Sequence, residues 1–588
     1  MKSSVERLAA LRAIMRTQSI GGFVVPRSDE HLGEYVPPSA ERLAWLTGFT
    51  GSAGIAIVLA DRAAVFTDGR YTLQLEQQTD GDAFERRHLV EEPPTQWLAE
   101  AAPGVRIGYD PMLMSADAVA RFAEAGSTMV AMANNPLDAA WIDRPAPPMA
   151  PAVPHEVRYA GKDSADKRGD VAATLRAAHQ DAAIITDPAS IAWLLNIRGG
   201  DVDFTPFALG FLLLRADGSA SLFMESAKVS ETVRRWLGND ISVQPRTGLA
   251  AALAGLRDKR VRVDEAGSPA WFGQQLRDAG ATVVDAADPC AAPKARKNAT
   301  EQEGARAAHR RDAVAVCRFL CWLDGAAGAT TEIGAAARLL ALRGEQEGFR
   351  GESFPAISGA GEHGAIIHYR VTPETDRAVG RDEVYLIDSG AQYPDGTTDI
   401  TRTVWTGAGP APAALRERVT RVMQGHIAVA TAVFPHGTCG PHLDALARRA
   451  LWAVGLDYDH GTGHGVGSYL SVHEGPAGIS RAGRMVPLAE GMILSDEPGY
   501  YLPGQYGIRL ENLLLVQKAA LPQATRPFLR FETLTLAPFD RRLLDPAMMS
   551  AAERDWLDAY HARVLAEIGP KLGEEERAWL QQACRPLD

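Results

Sequence analysis

The sequence has few cysteines, and their number and spacing argue against a disulfide framework and against a structural zinc site. Only five occur among 588 residues, an odd number scattered along the chain: Cys290, Cys317, Cys321, Cys439 and Cys584. Secreted domains held together by disulfides carry denser, even sets. Cys317 and Cys321 lie one helical turn apart, but no second pair completes a structural zinc site. We therefore expect reduced thiols in a cytoplasmic protein.

The chain also lacks an excess of positive charge and any long apolar run. Its net charge of −12 and isoelectric point near 5.7 argue against nucleic-acid binding, which needs a basic surface. No apolar run approaches the roughly 18–20 residues of a membrane span. The N-terminus carries Glu6, Arg7 and Arg12 inside its apolar pattern, which indicates an amphipathic helix and not a signal peptide. The composition is that of a soluble globular protein.

The length predicts about three or four domains. A proline-rich stretch from Pro145 to Pro154 interrupts regular structure and is interpreted as a linker. We place a first domain at residues 1–150, a second at 151–296, a catalytic domain at 297–540 and a C-terminal helical extension at 541–588.

Residues 1–296 contain one plan twice. In each half a helix leads to a β-strand, a further helical segment and two more strands. The tripeptide Ala-Trp-Leu recurs at 44–46 and 192–194, in the same position within each half. This matching order predicts a duplicated α/β domain. Neither half carries a catalytic constellation, and Asp201 and Asp203 are interpreted as turn and cap residues.

The third segment begins with a long predicted helix, with Thr300 as its N-cap and Glu303 completing a capping box. A second helix is predicted at 331–346, and His368 is placed on a short β-type run. We expect an α+β domain in which helices pack outside a curved antiparallel sheet. The last fifty residues are predicted to be helical again.

Residues 385–516 contain two predicted β-hairpins with paired carboxylates. Asp388 and Asp399 flank a Pro-Asp-Gly turn, and Glu497 and Glu511 flank a Pro-Gly turn. Residues facing each other across an antiparallel pair have Cβ atoms roughly 4.5–5.5 Å apart, where like charges repel unless a cation or a proton lies between them. Two solvated hairpins with acidic faces would also fit. The adjoining apolar runs favour a bound cation, because an unpaired buried carboxylate is costly.

A glycine-rich segment between the hairpins, HGTGHGVGSYLSVHEG, supplies His460, His464 and His473. Four carboxylates with imidazole form an oxygen-dominated donor set that suits Mn²⁺, with Zn²⁺, Co²⁺ and Fe²⁺ as alternatives. Bridging carboxylates are suited to two metals roughly 3.5–4 Å apart that hold a water between them. The pattern therefore predicts a hydrolase site.

Residues 354–516 also carry a series of longer motifs: GAIIHY (364–369), LIDSGAQYPDGTTDITRT (386–403), GHIAVATAVFP (425–435), HGTGHGVGSYLSVHEGP (460–476), DEPGYY (496–501) and GIRLEN (507–512). With these motifs the segment resembles the pita-bread metallopeptidases of family M24B and, within them, the three-domain Xaa-Pro aminopeptidases. Weaker similarity extends over most of the chain. The duplicated N-terminal domains resemble the creatinase-type domains of that family.

The resemblance implies a set of site residues. The metal ligands fall on Asp388, Asp399, His464, Glu497 and Glu511. The auxiliary catalytic histidines fall on His368, His460 and His473, with Glu497 as a candidate general base and Arg509 orienting the carboxylates from behind. Tyr500 and Tyr501 are candidates for the wall of a slot that accepts a proline ring.

The implied activity is hydrolysis of the bond between an N-terminal residue and a penultimate proline, by a homodimer with two divalent ions, most suitably Mn²⁺. Prolidase and methionine aminopeptidase use the same ligands. The two extra domains and the wording of the motifs favour the aminopeptidase. A non-catalytic peptide- or histone-binding module is the alternative from another class, but such modules have lost the ligands. A creatinase-like activity does not require the metal set.

Overall fold

The computed structural model describes residues 3–587. The chain forms two compact units, one made of residues up to 157 with 162–291, the other of residues 158–161 with the chain from 292 onward. Short helices, Val157–Ala160 and Ala291–Ala295, lie where the chain passes from one unit to the other. Within the described residues no helix is both long and apolar enough to cross a membrane.

The first unit contains two six-stranded sheets of identical topology. In spatial order the strands of one are Glu85–His88, Ala63–Thr67, Ile55–Leu59, Gly22–Pro26, Arg106–Tyr109 and Thr128–Ala131. Those of the other are Ile241–Gln244, Ala220–Phe223, Phe211–Arg215, Ala182–Ile185, Arg260–Val263 and Thr282–Asp285. In both, the second, third and fourth strands pair antiparallel and the outer pairs are parallel. The predicted duplication is confirmed.

The helices of this unit connect and cover the strands. They are Ser4–Thr17, Arg42–Thr47, Thr72–Gln78, Pro94–Ala101, Ala116–Glu124, Pro136–Ala140, Ser164–Ala177, Pro188–Leu195, Glu231–Leu237, Leu249–Ala254 and Ala270–Asp278. The two Ala-Trp-Leu tripeptides lie in the helices Arg42–Thr47 and Pro188–Leu195, which follow equivalent strands. The linker segment is irregular up to a short strand, Val153–Pro154, paired antiparallel with Ile197–Arg198.

The second unit holds the helices Ala299–Ala326, Glu332–Gly344, Ala413–Ala430, Gly440–Trp452, Ala551–Ile568 and Glu574–Ala583. The predicted cap of the first of these is wrong. Asn298 is the N-cap, accepting from the backbone amides of Thr300 and Glu301, and Glu301 completes the capping box. Asparagine is among the best N-caps, so the helix begins before the threonine that the prediction chose.

Antiparallel sheets fill the second unit, as predicted. A six-stranded sheet runs in the order Val433–Pro435, Phe528–Thr533, Asn512–Ala519, Ile493–Asp496, Gly463–Gly465, Glu474–Ile479. Three smaller sheets comprise Ile357–Ala360 with Val384–Ser389 and Ile400–Trp405; Gly351–Glu352 with Ala391–Tyr393 and Gly396–Thr397; and Gly499–Leu502 with Tyr506–Arg509. The strands Val384–Ser389 and Ile400–Trp405 are buried throughout. Polar side chains on them therefore lie inside the protein.

The C-terminal helices belong to the same core. Leu557, Val564, Ile568 and Leu580 are buried in the cluster that also contains the strand residue Tyr385. Burying a leucine or isoleucine side chain contributes about 1.5–3 kcal/mol, so this extension stabilises the second unit. The separation of this extension as a domain at 541–588 stays a prediction, as do the bounds of the other three predicted domains.

Candidate metal centre

The first hairpin places its two aspartates differently from the prediction. Tyr393 pairs with Gly396, so the turn consists of Pro394 and Asp395. In this register Asp388 faces Thr401, not Asp399. Asp399 lies two positions earlier than Thr401, on the same face of the hairpin. The two aspartates are thus diagonal neighbours, and both are buried, at 8% and 4% exposure.

The second hairpin keeps the predicted symmetry. Asp496 pairs with Asn512, and Gly499 pairs with Arg509. The register on the two sides places Glu497 opposite Glu511, within a short interruption of the ladder. Because the strand pairing is interrupted there, the two side chains are not bound to alternate faces of a regular strand and can point towards one site.

Three predicted ligands come together around a single centre. One donor atom each from Asp399, His464 and Glu511 lies within 4.8 Å of the other two. The Nε2 atom of His464 is 3.4 Å from Asp399 Oδ2 and 3.5 Å from Glu497 Oε1. Asp388 stands close enough to Asp399 for their charges to interact. All five predicted ligands therefore belong to one neighbourhood.

The protonation of this group reflects burial first and the crowding of negative charge second. Burial is the largest cause that raises the pKa of Asp388, Glu497 and Glu511, and the charge of Asp399 raises all three further. Burial also opposes the charged form of His464, but its contact with Asp399 and the charge of Glu497 outweigh this and raise its pKa to about 9. Without a cation, the group holds protons that exposed side chains would release.

The site lacks hydrogen-bond donors for some of these oxygens. Asp388 Oδ1 and Glu511 Oε1 are buried and have no hydrogen-bond partner within residues 3–587. Leaving a buried charged acceptor unpaired costs more than about 1–3 kcal/mol. A set of carboxylate oxygens with one imidazole nitrogen is also a donor set that divalent ions accept. The residues present therefore fit a divalent metal.

A buried arginine connects the carboxylates to a histidine. Arg509 donates from Nη2 to Asp388 Oδ2 at 2.7 Å and from Nη1 to the Tyr501 hydroxyl at 2.7 Å. The Tyr501 hydroxyl lies 2.8 Å from His460 Nε2. Thr401 donates to Glu511 Oε2 at 2.7 Å. Arg509 thus orients Asp388, while Thr401 orients Glu511.

The ring of His464 is oriented from its other side. Its Nδ1 lies 3.0 Å from the carbonyl oxygen of Gly465. A carbonyl oxygen can only accept a hydrogen bond, so Nδ1 carries the hydrogen in the neutral ring. The lone pair of Nε2 is then available to ligate a metal. Its strand packs closely on Ile493–Asp496. A Cβ atom on Gly463 would lie 2.0 Å from the carbonyl oxygen of Ser495, so only glycine fits there. The ring of His473 meets the ring of His464 edge-on, with centroids 4.4 Å apart.

His368 lies on an irregular segment and not on the predicted β-type run, which ends at Ala360 and is followed by a short 3-10 helix. The buried carboxylate of Glu332 holds this segment in place. It accepts from the backbone amide of Ala360 at 2.7 Å, from His363 Nδ1 at 2.9 Å and from the Tyr369 hydroxyl at 3.1 Å. Tyr369 is the residue after His368, so Glu332 anchors the chain immediately next to that histidine.

Sequence reasoning missed two residues that support the site and the role of the hydroxyl of a third. Thr401 and Glu332 are common residue types without a distinguishing neighbour, and their roles arise only from the register and the helix packing. Tyr501 was predicted as an apolar wall, whereas its hydroxyl belongs to the Arg509 and His460 network. The alternation of strand Gly499–Leu502 beside the carboxylates was a signal that could have indicated its polar contact.

Comparisons with known proteins follow this architecture. The profile of metallopeptidase family M24 matches residues 303–518, and the profile of its C-terminal region matches 527–587. Profiles of the creatinase/prolidase N-terminal domain match residues 7–146 and 143–301. A probable Xaa-Pro aminopeptidase P of Laccaria bicolor is 39% identical over all of this chain and 94% of its own length. Aminopeptidase P2 of Arabidopsis thaliana is 39% identical over 99% of this chain and 88% of its own length. The chain belongs to the Xaa-Pro aminopeptidase family of M24 metallopeptidases.

A solved structure agrees over the full length. The X-prolyl aminopeptidase of Caenorhabditis elegans, described as a cytosolic enzyme with a di-nuclear active site, superposes with a TM-score of 0.95 at 33% identity and covers 100% of both chains. A prolidase of Thermococcus sibiricus covers 64% of this chain at 20% identity with a TM-score of 0.51, a likeness that shows the fold alone. The predicted family, fold class and enzyme class, a metallo-exopeptidase of the Xaa-Pro aminopeptidase type, are confirmed.

Proposed function

We propose that the centre holds two divalent ions and hydrolyses the bond between an N-terminal residue and a penultimate proline. The observation that carries this proposal is the convergence of buried carboxylates on His464, with one oxygen each of Asp388 and Glu511 left without a hydrogen-bond donor among residues 3–587. The ligands would be Asp388, Asp399, His464, Glu497 and Glu511. When bound, the ions supply Lewis acidity, lowering the pKa of a water molecule and polarising a carbonyl.

The chain's own residues would handle the protons. Glu497, whose Oε1 lies beside His464, accepts a proton from the attacking water. His460 Nε2, in contact with the Tyr501 hydroxyl, can hold or pass a proton towards the leaving nitrogen. His368 and His473 stabilise the oxyanion that develops on the scissile carbonyl.

Cleavage before proline needs a site adapted to the ring. The proline nitrogen has no hydrogen and the ring fixes φ, so an ordinary peptidase loses one contact and the extended substrate shape. Tyr500 is 9% exposed and packs in the core, whereas the Tyr501 hydroxyl is committed to Arg509. We propose that Tyr501 shapes the slot through its ring while its hydroxyl holds His460.

Mn²⁺ is the metal that suits this oxygen-rich set best, with Zn²⁺ and Co²⁺ as alternatives. The cytosolic location of the nematode relative and the reduced cysteines support a cytoplasmic enzyme. A homodimer and proline-containing peptide substrates complete the proposal.

The deciding experiment compares three substrates with added Mn²⁺: Arg-Pro-Pro, Gly-Pro and Met-Ala-Ser. Release of arginine from the tripeptide should be the fastest reaction. Faster cleavage of the dipeptide would favour prolidase, and release of methionine would favour the methionine enzyme.

The ligand assignment is tested with Asp399→Asn. Loss of a charged oxygen donor should lower the bound metal per chain and abolish turnover, both measurable on one preparation by elemental analysis and a peptide assay. Wild-type activity with the full metal content would refute the assignment. Undiminished activity after exhaustive chelation would refute the whole proposal.

A further inference from the structure

A small cavity lies behind the candidate metal centre. It measures about 10 Å³, room for one water molecule, and is lined by the long helix Ala299–Ala326, the hairpin residues 398–400 and the segment 535–537. His309, Asp399 and Thr535 contribute polar groups to its wall. Asp399 is also a proposed metal ligand. The cavity and the candidate metal centre therefore share this residue.

His309 presents an unpaired nitrogen in this region. The side chain is 3% exposed, and its Nδ1 lies 2.7 Å from the carbonyl oxygen of Ala305. A carbonyl only accepts, so Nδ1 carries the hydrogen. Burial lowers the pKa of His309 in spite of the raising effects of the Ala305 carbonyl, Asp312 and Asp399, so the ring is neutral. Its Nε2 is then an acceptor, and it has no hydrogen-bond partner within residues 3–587.

The other polar side chains of the wall differ in the hydrogen bonds that they can still offer to a water molecule. The Thr535 hydroxyl accepts from the amide of Leu513 at 2.8 Å, which leaves its proton to donate. Asp312 also lies in the wall, but its two oxygens already accept hydrogen bonds from Arg343 at 2.9 and 3.0 Å, so we do not count it among the partners of the water. A water molecule here would donate to His309 Nε2 and to the Asp399 carboxylate and accept from Thr535. Three hydrogen bonds are typical of a buried water.

We propose that His309 is a positioning residue for the metal ligand Asp399 and acts through one water bound in this cavity. The inference rests on the proposed function, because it assigns His309 a task only if Asp399 binds metal. Partners behind a ligating group fix its direction, and their loss typically lowers metal affinity by about 10–100-fold. His309 itself touches neither metal nor substrate.

The first test needs no variant. A high-resolution crystal structure of the wild-type protein with Mn²⁺ should show one ordered water within hydrogen-bond distance of both His309 Nε2 and the Asp399 carboxylate. Density showing no such water, or His309 Nε2 bonded to a protein group, would overturn the proposal. This result is independent of whether the enzyme cleaves Xaa-Pro bonds.

The second test measures metal affinity in matched variants. His309→Leu removes the acceptor, and His561→Leu is the control. His561 is also buried, its Nδ1 has no hydrogen-bond partner in the described part of the chain, and burial lowers its pKa to about 3. Mn²⁺ titration of the metal-free proteins should show an affinity loss of about 10-fold or more for His309→Leu and no comparable loss for His561→Leu.

Equal affinities in the two variants would overturn the role of His309 while leaving the proposed function intact. Failure of the wild-type protein itself to bind Mn²⁺ would instead count against the proposed function. If His309→Leu does not fold, Thr535→Val tests the same water from its donor side, with the same expected loss and the same refuting result.

Discussion

Replacing Arg509 by methionine isolates the balance of charge at the candidate centre. The side chains alone of Arg509 and its partner Asp388 are 2% and 11% exposed, and they are joined at 2.7 Å. Removing one member of a buried pair typically costs 3–5 kcal/mol, because the other charge is left uncompensated. Here Asp388 can escape part of that cost by taking up a proton, since loss of Arg509 raises its pKa further.

We therefore expect the metal-free Arg509→Met protein to lose about 3 kcal/mol of stability, at the low end of that range. The metal-loaded protein should lose less, because bound cations would replace the missing positive charge. Activity should also fall, by about 10–100-fold. The substitution removes the charged hydrogen bond from Arg509 to the Tyr501 hydroxyl, worth about 1.5–3 kcal/mol, and His460 then loses the contact with Tyr501 that this bond anchors.

Urea unfolding of both variants, with chelator and with Mn²⁺, measures these differences. Arg509→Lys is the matched control: it keeps the charge, but its single ammonium cannot contact Asp388 and Tyr501 as the guanidinium does. The lysine variant should recover most of the stability of the metal-free protein and little of the activity. An equal stability loss with and without metal would refute the electrostatic reasoning.

Two further predictions concern protonation and the segment that carries His368. The pKa values of four groups, Asp388, Glu497, Glu511 and His464, are raised by folding, so the folded metal-free protein binds more protons than the unfolded chain. Their contribution to stability is therefore present at low pH and is lost as the pH rises. For His464 this loss falls between about pH 6.5 and pH 9. Thermal unfolding with chelator should show this decline and unfolding with Mn²⁺ should not; a flat metal-free profile would contradict it. Tyr369→Phe removes one donor to Glu332 and should lower kcat several-fold at unchanged metal content; a matching loss of metal would show that the tyrosine supports the ligands instead.

Local sequence signals identified three of the six strands in each sheet of the first unit, and the first two and the C-terminal helices of the second unit, because each is encoded within a few residues. Gly22–Pro26 is a run of apolar and β-prone residues, and the paired Ala-Trp-Leu segments mark the same helix in each duplicated domain. The N-cap of the long helix was missed by two positions, because Asn298 and Thr300 are both good caps and their spacing from Glu301 and Glu303 is the same.

The register of the first hairpin could not be read from the sequence, because it depends on which two residues form the turn. With Pro394 and Asp395 in the turn, Asp388 meets Thr401, and Asp399 is displaced along the same face. A hairpin in which both aspartates faced each other would place their charges at the closest cross-strand separation. The observed stagger separates them enough for Arg509 to reach Asp388 and for His464 to reach Asp399.

This separation explains why support for the site comes from several elements. Asp388 is held by an arginine of the second hairpin, Glu511 by a threonine of the first, and the segment before Asp388 by Glu332 of a helix. Asp388 and Glu511 are thus each oriented by an element other than their own, so neither can turn towards solvent without breaking a buried contact elsewhere. The fold thereby keeps like charges together in a low-dielectric interior, where only a cation or protons can balance them. Metal binding and the stability of this unit are coupled for the same reason, and a substitution at Arg509 or Thr401 should change both.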